Sequence, residues 1–505
     1  MTGGEKERVQ ADVTAQYERF PYPAPVDTLS SGILDGSMGV DGCFSRDYHL
    51  YWPAARHRDG LDVLVAGCGS KQAVEMAYGV PGARVVAIDL SATSIAHSRR
   101  LAEKHGVGNI EFIQMSLFDV ADLGRDFDLI VSTGVIHHLH NPAEGLKALR
   151  GVLRRDGSMP LMLYGRYGRD SVYLFQDLFR RLGLTVENVT ADDIDKMIDL
   201  IRNVPDTHPY HLRKDVYCNF KPEEIVDLYL HPHDIPFTVP AILDLLAESG
   251  LVLQHWGRQS SYWPRCTSLV GHPFFERVDA LDARTQWTIC ELYNANINRH
   301  FFAACRDDRP LSTYKVEFDG DAFWDYVPQV RWHLRYQPRT DGQPGMEAWT
   351  VFASAATPQK ITLDATQAFV FSLIDGKQSV RDIVQALLPH GDEATARSYV
   401  KSVLRDLWMF DAASFCFSAD AVAVPALDID DAFRRAVEFH QAGQETEAER
   451  LYWAIMVESP GLPDVNHNLG IIAVEHGRAE AALPLLRSAI ELGNDDKPIY
   501  FHSLC

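Results

Sequence analysis

The sequence predicts an α/β protein whose first large domain is a doubly wound, Rossmann-like fold with a mainly parallel sheet. Short runs of Val, Ile and Leu alternate with amphipathic helical stretches between Leu61 and Gly165. A loop that contains Gly67 and Gly69 follows the first apolar run, and Asp89 ends the second. Such runs are typical of parallel strands buried on both faces, and right-handed crossovers then give this fold.

Five apolar runs are the candidate strands: "LDVLVAG", "ARVVAIDL", "IEFIQMS", "FDLIVSTGVI" and "SMPLMLYG". Helical patterns lie between them at 72–78, 92–105 and 143–153. Further along, "VPAILDLLAESGLVLQHW" predicts a closing helix, a glycine stop and one more strand. Because ligands of this fold bind beyond the carboxyl ends of the strands, the functional residues are expected there.

The strand ends carry the residues expected of a nucleoside site. Gly67 and Gly69 let the backbone approach a ligand closely and turn into a helix. Asp89 follows Gly69 by 20 residues, a spacing at which a carboxylate accepts hydrogen bonds from ribose hydroxyls. Ser116 ends the third run, where a side chain is expected to face an adenine. Gln72 stands where a dinucleotide loop has its third glycine, which argues against a pyrophosphate ligand.

Taken together, the segments "VLVAGCGS", "VVAIDLSATSIAHSR", "IEFIQMSLFDV", "FDLIVSTGVIHHLHNP" and "LRRDGSMPLMLYG" resemble a class I S-adenosylmethionine-dependent methyltransferase over about residues 60 to 165. The resemblance implies S-adenosylmethionine as cofactor, with Gly67 and Gly69 against its methionine part and Asp89 on its ribose. It also implies that "GVIHHLHNP" lines the floor between cofactor and substrate. The predicted cofactor-binding residues are Ala66, Gly67, Cys68, Gly69, Asp89, Leu90, Ser116, Leu117, Ser132, Thr133 and Gly134.

Two positions depart from the family pattern. Lys71 stands where glycine is usual, and Ser116 stands where a carboxylate is usual. The side chain of Lys71 is expected either to turn to solvent or to meet the methionine carboxylate. The change at Ser116 leaves adenine recognition to backbone groups. Both departures keep open the alternative of a scaffold that binds the cofactor without transferring its methyl group.

The predicted catalytic residues are His137 and His138, which follow the fourth strand. Methyl transfer from a sulfonium depends mainly on positioning, and a base is needed only when the acceptor holds its proton tightly. Histidine is a frequent general base, so we expect one of the two rings to touch the reacting group. A purely structural role is the alternative for each of them.

Two segments are expected to cover the site. Residues 1–60 contain "QYERFPYPAP", and in many members of the resembled family an N-terminal aromatic segment folds over the cofactor as a lid; a surface strap is the alternative. An insertion at 166–234 is expected to form a helical cap on the domain that spans 61–264. Its "HPHD" run offers too few ligands for a metal site, and none is predicted. The predicted substrate or lid residues are Tyr17, Tyr22, Tyr164, Tyr210 and His211.

Three further regions follow this domain. Residues 265–357 are expected to be a connecting α+β region, with "WTICELYNANINRHFFAACR" as a helix. Residues 358–420 predict three short helices, and "LDATQAFVFSLIDGKQSVRDIV" resembles the winged-helix peptide-binding modules of pyrroloquinoline quinone biosynthesis; a structural spacer is the alternative. Residues 428–505 repeat with the 34-residue period of tetratricopeptide hairpins, the last one incomplete, and similar cap sequences occur in bacterial methyltransferases fused to such repeats.

Composition narrows the class of partner. The net charge of −21 over 505 residues argues against a nucleic-acid partner, because phosphate binding needs a basic surface. No apolar run is long enough to span a bilayer, and eight scattered cysteines without a C-x-x-C motif fit a cytoplasmic protein. The sequence thus predicts a methyltransferase that acts on a protein or peptide recruited by its winged-helix and tetratricopeptide regions. A methyltransferase of a small metabolite, natural-product or quinone-like, is the alternative.

Overall fold

The chain was analysed as a computed structural model, which describes residues 3–20, 25–29, 47–58, 60–80, 82–214, 217, 220–331, 333–350, 360–422, 429–459, 462–475 and 479–493. The strands of its first domain are β1 (Asp62–Ala66), β2 (Arg84–Asp89), β3 (Ile110–Gln114), β4 (Phe127–Thr133), β5 (Leu153–Tyr164), β6 (Leu251–Trp256) and β7 (Arg299–Arg306). The helices up to β6 are α1 (Gly3–Arg19), α2 (Tyr48–Tyr51), α3 (Gln72–Gly79), α4 (Ala92–Lys104), α5 (Pro142–Gly151), α6 (Asp170–Arg181), α7 (Ala191–Arg202), α8 (Pro222–Tyr229) and α9 (Val239–Glu248).

A seven-stranded sheet with the order β3-β2-β1-β4-β5-β7-β6 forms the centre of this domain. Strands β1 to β5 are parallel to one another. Strand β7 lies between β5 and β6 and runs antiparallel to both. Apolar side chains pack against both faces of the sheet, and for this reason the strands are unbroken apolar runs in the sequence. The predicted Rossmann-like fold with a mainly parallel sheet is confirmed. The chain order reverses between β1 and β4, and this places a cleft at their carboxyl ends.

Strand β7 corrects one sequence prediction. The helix expected across "WTICELYNANINRHFFAACR" ends at Asn294, where Ala295 takes a left-handed conformation with φ 48°. The rest of that stretch is β7, whose side chains are buried on both sides of the sheet. A doubly buried strand that directly follows a helix lacks the alternation that would identify it. The sheet therefore extends past residue 264, into the region predicted as a connection.

The insertion at 166–234 forms the three helices α6, α7 and α8, which have an apolar core of their own. Helix α7 begins with a capping box, in which Thr190 and Asp193 satisfy each other's backbone N–H groups. The end of the insertion pairs with the sheet domain, because Ile235 N donates to His137 O (3.0 Å) and Phe237 N donates to Tyr164 O (2.8 Å). The cap thus sits directly on the carboxyl-end face.

Residues 265–422 add helices and two small sheets. Asp411 joins this part to the first domain: its buried carboxylate accepts hydrogen bonds from Gln259 N (3.0 Å), Ser260 N (3.1 Å) and Ser260 Oγ (2.8 Å). The resemblance of 358–420 to a winged-helix module stays a prediction. The elements are α10 (Phe275–Asp279), α11 (Ala283–Asn294), β8 (Val327–Val330), β9 (Leu334–Pro338), β10 (Gly345–Thr350), β11 (Lys360–Asp364), α12 (Ala365–Ser372), α13 (Val380–Leu387), α14 (Glu393–Met409) and β12 (Ala413–Cys416), with antiparallel sheets β11-β10-β9 and β12-β8.

The C-terminal region consists of helices in its described part. Gly443 ends the first of them with φ 71°, and Gly470 lies so close to Leu486 that a Cβ would come within 2.6 Å of its side chain. Small residues where helices cross are expected of the predicted tetratricopeptide repeats, which stay a prediction. No described helix has both the length and the apolarity needed to cross a membrane. The four helices are α15 (Ile429–Gln441), α16 (Glu445–Glu458), α17 (Pro463–Glu475) and α18 (Ala479–Leu492).

Candidate active site

A cavity of about 370 Å³ lies at the carboxyl ends of β1, β2 and β4, beneath helix α1. Its volume falls in the usual range of ligand pockets, roughly 300–1,000 Å³. Most of the residues predicted to bind the cofactor line it. The lining comprises Val9, Val13, Thr14, Tyr17, Gly67, Cys68, Gly69, Lys71, Gln72, Glu75, Ile88, Asp89, Leu90, Ser91, Ser94, Met115, Ser116, Leu117, Phe118, Thr133, Gly134, Val135, His138, Leu139, His140, Met162, Tyr164 and Arg299.

The glycine loop forms one wall of the cavity. Gly67 and Gly69 have φ angles of 77° and 57°, which few other residues adopt without strain. A Cβ on Gly67 would lie 2.2 Å from Cγ2 of Val135, so the wall has no room for a side chain there. The N–H groups of Gly67 and Cys68 both donate to Ile88 O, at 2.9 and 3.0 Å, and thereby hold the loop against β2.

Asp89 lies at the end of β2 with its carboxylate beside the loop. Oδ2 accepts from Gly69 N (2.8 Å) and Oδ1 accepts from Ser91 N (2.9 Å). The backbone N–H of Leu90 also acts on this carboxylate, and since an ionised carboxylate offers about four lone-pair sites, acceptor capacity is left for a further donor. Burial raises the pKa of Asp89, and the negative charge of Glu18 adds to this effect. A half-buried acceptor of this kind suits a ligand that brings hydroxyl donors.

Ser116 uses its side chain within its own loop. Its Oγ accepts from Phe118 N (3.3 Å) and so caps the short 3-10 helix at Leu117–Leu123. Met115 and Leu117 then present apolar surface to the cavity, and Leu90 adds its own side of the wall. This end of the cavity is a slot lined mainly by apolar groups, as a flat base requires.

The side chain of Lys71 forms an ion pair at the cavity. Its Nζ lies 3.0 Å from Oε1 of Glu75, one helical turn further on, and the side chain of Glu75 is only 4% exposed. Both residues line the cavity. The positive charge of Lys71 is therefore largely compensated by Glu75 of helix α3.

Helix α1 covers the cavity and connects its two sides. Val9, Val13, Thr14 and Tyr17 of this helix line the cavity. On one side, Glu18 accepts from Ser91 Oγ (2.9 Å), Thr93 N (3.3 Å) and Thr93 Oγ1, and these hydrogen bonds, that of Thr93 above all, lower the pKa of Glu18. The carboxylate thus lies at the N-terminus of α4, where the helix dipole favours it.

On the other side, helix α1 is attached to the cap. The guanidinium of Arg19 donates to Glu187 O (2.9 Å) and Val189 O (2.8 Å) in the loop before α7. The hydroxyl of Tyr17 lies 3.4 Å from Nε2 of His231 in the "HPHD" loop. The predicted N-terminal lid segment is thus a helix in its described part, whereas Tyr22 lies outside the described residues.

The two predicted catalytic histidines have different surroundings. His137 is fully buried behind the wall, its ring 3.9 Å from that of Tyr164, and neither ring nitrogen has a hydrogen-bond partner among the described residues. Burial, with smaller contributions from nearby positive charges, lowers the pKa of His137 well below its usual value. The ring lines no part of the cavity, so the structure does not bring His137 to the site.

His138 lines the cavity instead. Its Nδ1 lies 2.8 Å from His233 O; because a carbonyl can only accept, Nδ1 carries the proton and Nε2 is the acceptor nitrogen. The ring stacks on His231 at 3.7 Å between centroids. Burial lowers the pKa of His138 to about 4, so the ring is neutral near pH 7.

Besides His137, four predicted residues lie away from the cavity. Ser132 and Ala66 are behind its wall, where Ser132 Oγ donates to Ala66 O (3.0 Å). Tyr210 is buried in the core of the cap, and His211 contacts Val204 O (3.2 Å) on the same side. The structure thus places Tyr210 and His211 away from the cavity, and contact of either residue with a substrate stays a prediction.

Arg299 is the functional candidate that the sequence analysis missed. It begins β7, in the stretch expected to be helical, and lines the cavity beside Tyr164. Only the pairing of β7 with β5 identifies it, and nothing in the local sequence does. Within the described part of the chain, no group of three or more His, Cys, Asp or Glu side chains is arranged to hold a metal ion.

Comparison with known proteins bears on the whole first domain. Residues 63–157 match a family described as "Methyltransferase domain". An uncharacterized protein of Synechococcus is 26% identical over 303 residues, which are 59% of this chain and 72% of that protein. The mitochondrial ubiquinone biosynthesis O-methyltransferase of Arabidopsis thaliana is 31% identical over 114 residues, which are 22% of this chain and 35% of that enzyme. The chain thus spans about a third of that enzyme's length.

Among solved structures, PKMT2 from Rickettsia typhi is similar to this chain with a TM-score of 0.53 and 13% identity over 78% of each chain. A second structure of that protein, in complex with AdoHcy, gives a TM-score of 0.52. At this identity the likeness concerns the fold alone. Residues 63–157 therefore match the methyltransferase domain family, and S-adenosylmethionine is the cofactor that this match implies.

Proposed function

We propose that the protein is an S-adenosylmethionine-dependent methyltransferase that binds its cofactor in the cavity beneath α1. The observation that supports this most is the combination of the glycine loop and Asp89 in one covered cavity. The wall at Gly67 has no room for a side chain, and the half-buried carboxylate of Asp89 keeps acceptor capacity for a hydroxyl donor of the ligand. The residues present therefore fit the cofactor.

The cofactor supplies an electrophilic methyl group, and the chain's own residues supply position and exclude water. Helix α1 lines the cavity and is held in place by the cap, and this cover limits the access of competing water. His138 is our candidate for the proton acceptor, because Nε2 is its acceptor nitrogen and the ring lines the cavity. A pKa near 4 makes it a weak base, so the acceptors it assists are those that lose their proton easily.

Formation of S-adenosylhomocysteine by the full chain tests this function. We expect turnover with wild-type protein and a clear loss with Asp89→Asn, measured with a coupled assay for the homocysteine product. A protein that binds S-adenosylhomocysteine in a titration, yet forms none from S-adenosylmethionine with any acceptor, would be the scaffold considered above. The two measurements together separate enzyme from scaffold.

For the acceptor we propose a protein or peptide recruited by the C-terminal regions. The support is the predicted winged-helix and tetratricopeptide regions, both of which are peptide-binding types. Asp411 limits how this is tested, because a deletion from Leu363 onward would remove its carboxylate and leave Gln259 and Ser260 without their acceptor. The deletion must therefore begin after residue 422.

Deletion of residues 429–505 is expected to raise the KM for a protein substrate at least tenfold while leaving kcat nearly unchanged. Recruitment acts on encounter and affinity, whereas the cavity lies wholly within the retained part. Steady-state methylation by the full and the shortened chain measures this, and a thermal melt of each verifies folding. Unchanged KM for every accepted substrate would contradict recruitment.

A small metabolite is the second candidate for the acceptor. The cover that α1 places over the cavity favours it, because a covered site of this size accepts small molecules more readily than a folded protein. The name of the Arabidopsis relative, an O-methyltransferase of ubiquinone biosynthesis, supports the same candidate. Methylation of a small acceptor that survives the deletion unchanged is the outcome that would decide for it.

A further inference from the structure

Arg299 is a cation that lines the cavity and has no role in the proposed function so far. Arg299 is the first residue of β7 and lies directly opposite Tyr164 in the antiparallel pairing of β5 with β7. Side chains of directly paired residues project from the same face of a sheet. Arg299 and Tyr164 accordingly line the cavity together, with Met162 beside them. Arg299 is exposed, so its guanidinium lies at the mouth of the cavity rather than inside the protein.

Other cations near the cavity are already paired. Lys71 is held by Glu75, and Arg169, which stacks on the ring of Tyr164, is held by Asp234 at 2.9 Å. The backbone of Arg299 belongs to the β5–β7 ladder, whereas its side chain makes neither a hydrogen bond nor an ion pair with any residue that the structure describes. Its planar group has five donors in a fixed fork. A fork of this kind at the mouth of a pocket is suited to a carboxylate.

The surroundings of Arg299 favour an anion further. Its positive charge is one of the minor causes that lower the pKa of buried His137, and burial is the main one. His138 and His231 are neutral near pH 7, since burial lowers the pKa of both. The buried carboxyl of Asp227 feels the charge of Arg299 but forms no ion pair with it. A cationic acceptor would meet a like charge here, whereas an anionic one would find its counter-charge.

We propose that Arg299 binds a carboxylate of the methyl acceptor and so selects anionic acceptors with an apolar or aromatic body. This inference rests on the proposed function. The aromatic rings of Tyr17 and Tyr164 line the same part of the cavity and would face the body of such an acceptor. The carboxylate could belong to a small acid or to an acidic peptide, and the chemistry at Arg299 is the same for both.

Calorimetric titration of the full chain tests this assignment. The protein is first saturated with S-adenosylhomocysteine and then titrated with benzoate, with benzyl alcohol as its neutral counterpart, and with an acidic and an amidated form of one short phenylalanine-glutamate peptide. We expect benzoate or the acidic peptide to bind at least tenfold more tightly than its neutral counterpart. Whichever pair shows the difference identifies the source of the carboxylate.

The variants Arg299→Met and Arg299→Lys test the residue itself, with Arg181→Met on the exposed end of α6 as matched control. Arg299→Met should remove the preference for the anion, Arg299→Lys should retain part of it, and the affinity for S-adenosylhomocysteine should not change.

A loss of S-adenosylhomocysteine affinity in Arg299→Met would instead make Arg299 a cofactor residue and overturn the inference. Equal binding of anionic and neutral probes by wild type, or no binding of any probe, would also overturn it. Failure of wild type to bind S-adenosylhomocysteine at all would count against the proposed function, and the two failures are thereby distinguished.

Discussion

Replacement of Arg169 by methionine should lower the free energy of unfolding by about 3–5 kcal/mol, the usual cost of removing one partner of a buried ion pair. The side chains of Arg169 and Asp234 are only 2% and 1% exposed, and Nη2 lies 2.9 Å from Oδ2. Without Arg169, the buried carboxylate of Asp234 keeps one donor among the described residues, the side-chain amide of Gln176 at 3.2 Å. Urea unfolding followed by circular dichroism measures the loss.

The matched control is Arg181→Met, in the same helix. Arg181 and Asp177 form an ion pair of 2.8 Å, yet their side chains are 77% and 52% exposed, so we expect a change of no more than about 0.5 kcal/mol. The double change Arg169→Met with Asp234→Leu should recover most of the stability, because it leaves no buried charge. Equal effects of Arg169→Met and Arg181→Met would contradict the buried pair.

The same variant should also affect the site. The guanidinium of Arg169 lies 3.6 Å from the ring centroid of Tyr164, and that ring lines the cavity. Arg169 is therefore a positioning residue for one wall of the acceptor part of the cavity, although it lines no part of the cavity itself.

Asp89→Asn should weaken the binding of S-adenosylhomocysteine by about 1.5–3 kcal/mol, or roughly 10- to 150-fold, because hydrogen bonds to a charged acceptor contribute about that much. The change keeps the size of the side chain but removes the negative charge and half of the acceptor sites. One of these sites already accepts from Gly69 N. The glycine loop therefore loses this hydrogen bond when the NH2 group of the new asparagine, rather than its oxygen, faces Gly69 N. Isothermal titration of both proteins measures the difference.

Asp126→Asn is the control for this prediction. Asp126 is an exposed carboxylate just before β4 and lines no part of the cavity. It should leave the dissociation constant unchanged, which separates loss of a contact from loss of overall negative charge. An unchanged dissociation constant for Asp89→Asn would remove Asp89 from the cofactor site.

The sheet and the cofactor wall could be predicted from sequence because they depend on local spacing. Ala66 pairs with Ile88 across β1 and β2, so a loop after one strand and an acid after the next meet at the same edge. The length of helix α3 fixes this spacing, and the alternation of apolar runs and helices identifies it. Gly67 and Asp89 were predicted for this reason.

The contacts of the covering elements could not be predicted, because they join distant parts of the chain. Glu18 meets Ser91 across 73 residues, and Tyr17 meets His231 across 214. Periodicity indicates which face of a helix is buried but not what it packs against. Arg299 reaches the cavity only because β7 inserts between β5 and β6.

The roles of the two histidines also depended on local geometry that the sequence does not contain. The 3-10 turn at Ile136–His138 sends the ring of His137 behind the wall and that of His138 into the cavity. In sequence the two rings are equivalent candidates. Tyr210 lies in the apolar core of the cap, and the local sequence does not show that the insertion buries this ring.

A crystal structure of the full chain with S-adenosylhomocysteine tests the central claim most directly. We expect the ligand in the cavity beneath α1, its ribose hydroxyls within hydrogen-bond distance of the Asp89 carboxylate and its methionine part against Gly67 and Gly69. Density for the ligand at another place, or in this cavity with the ribose turned away from Asp89, would contradict the account.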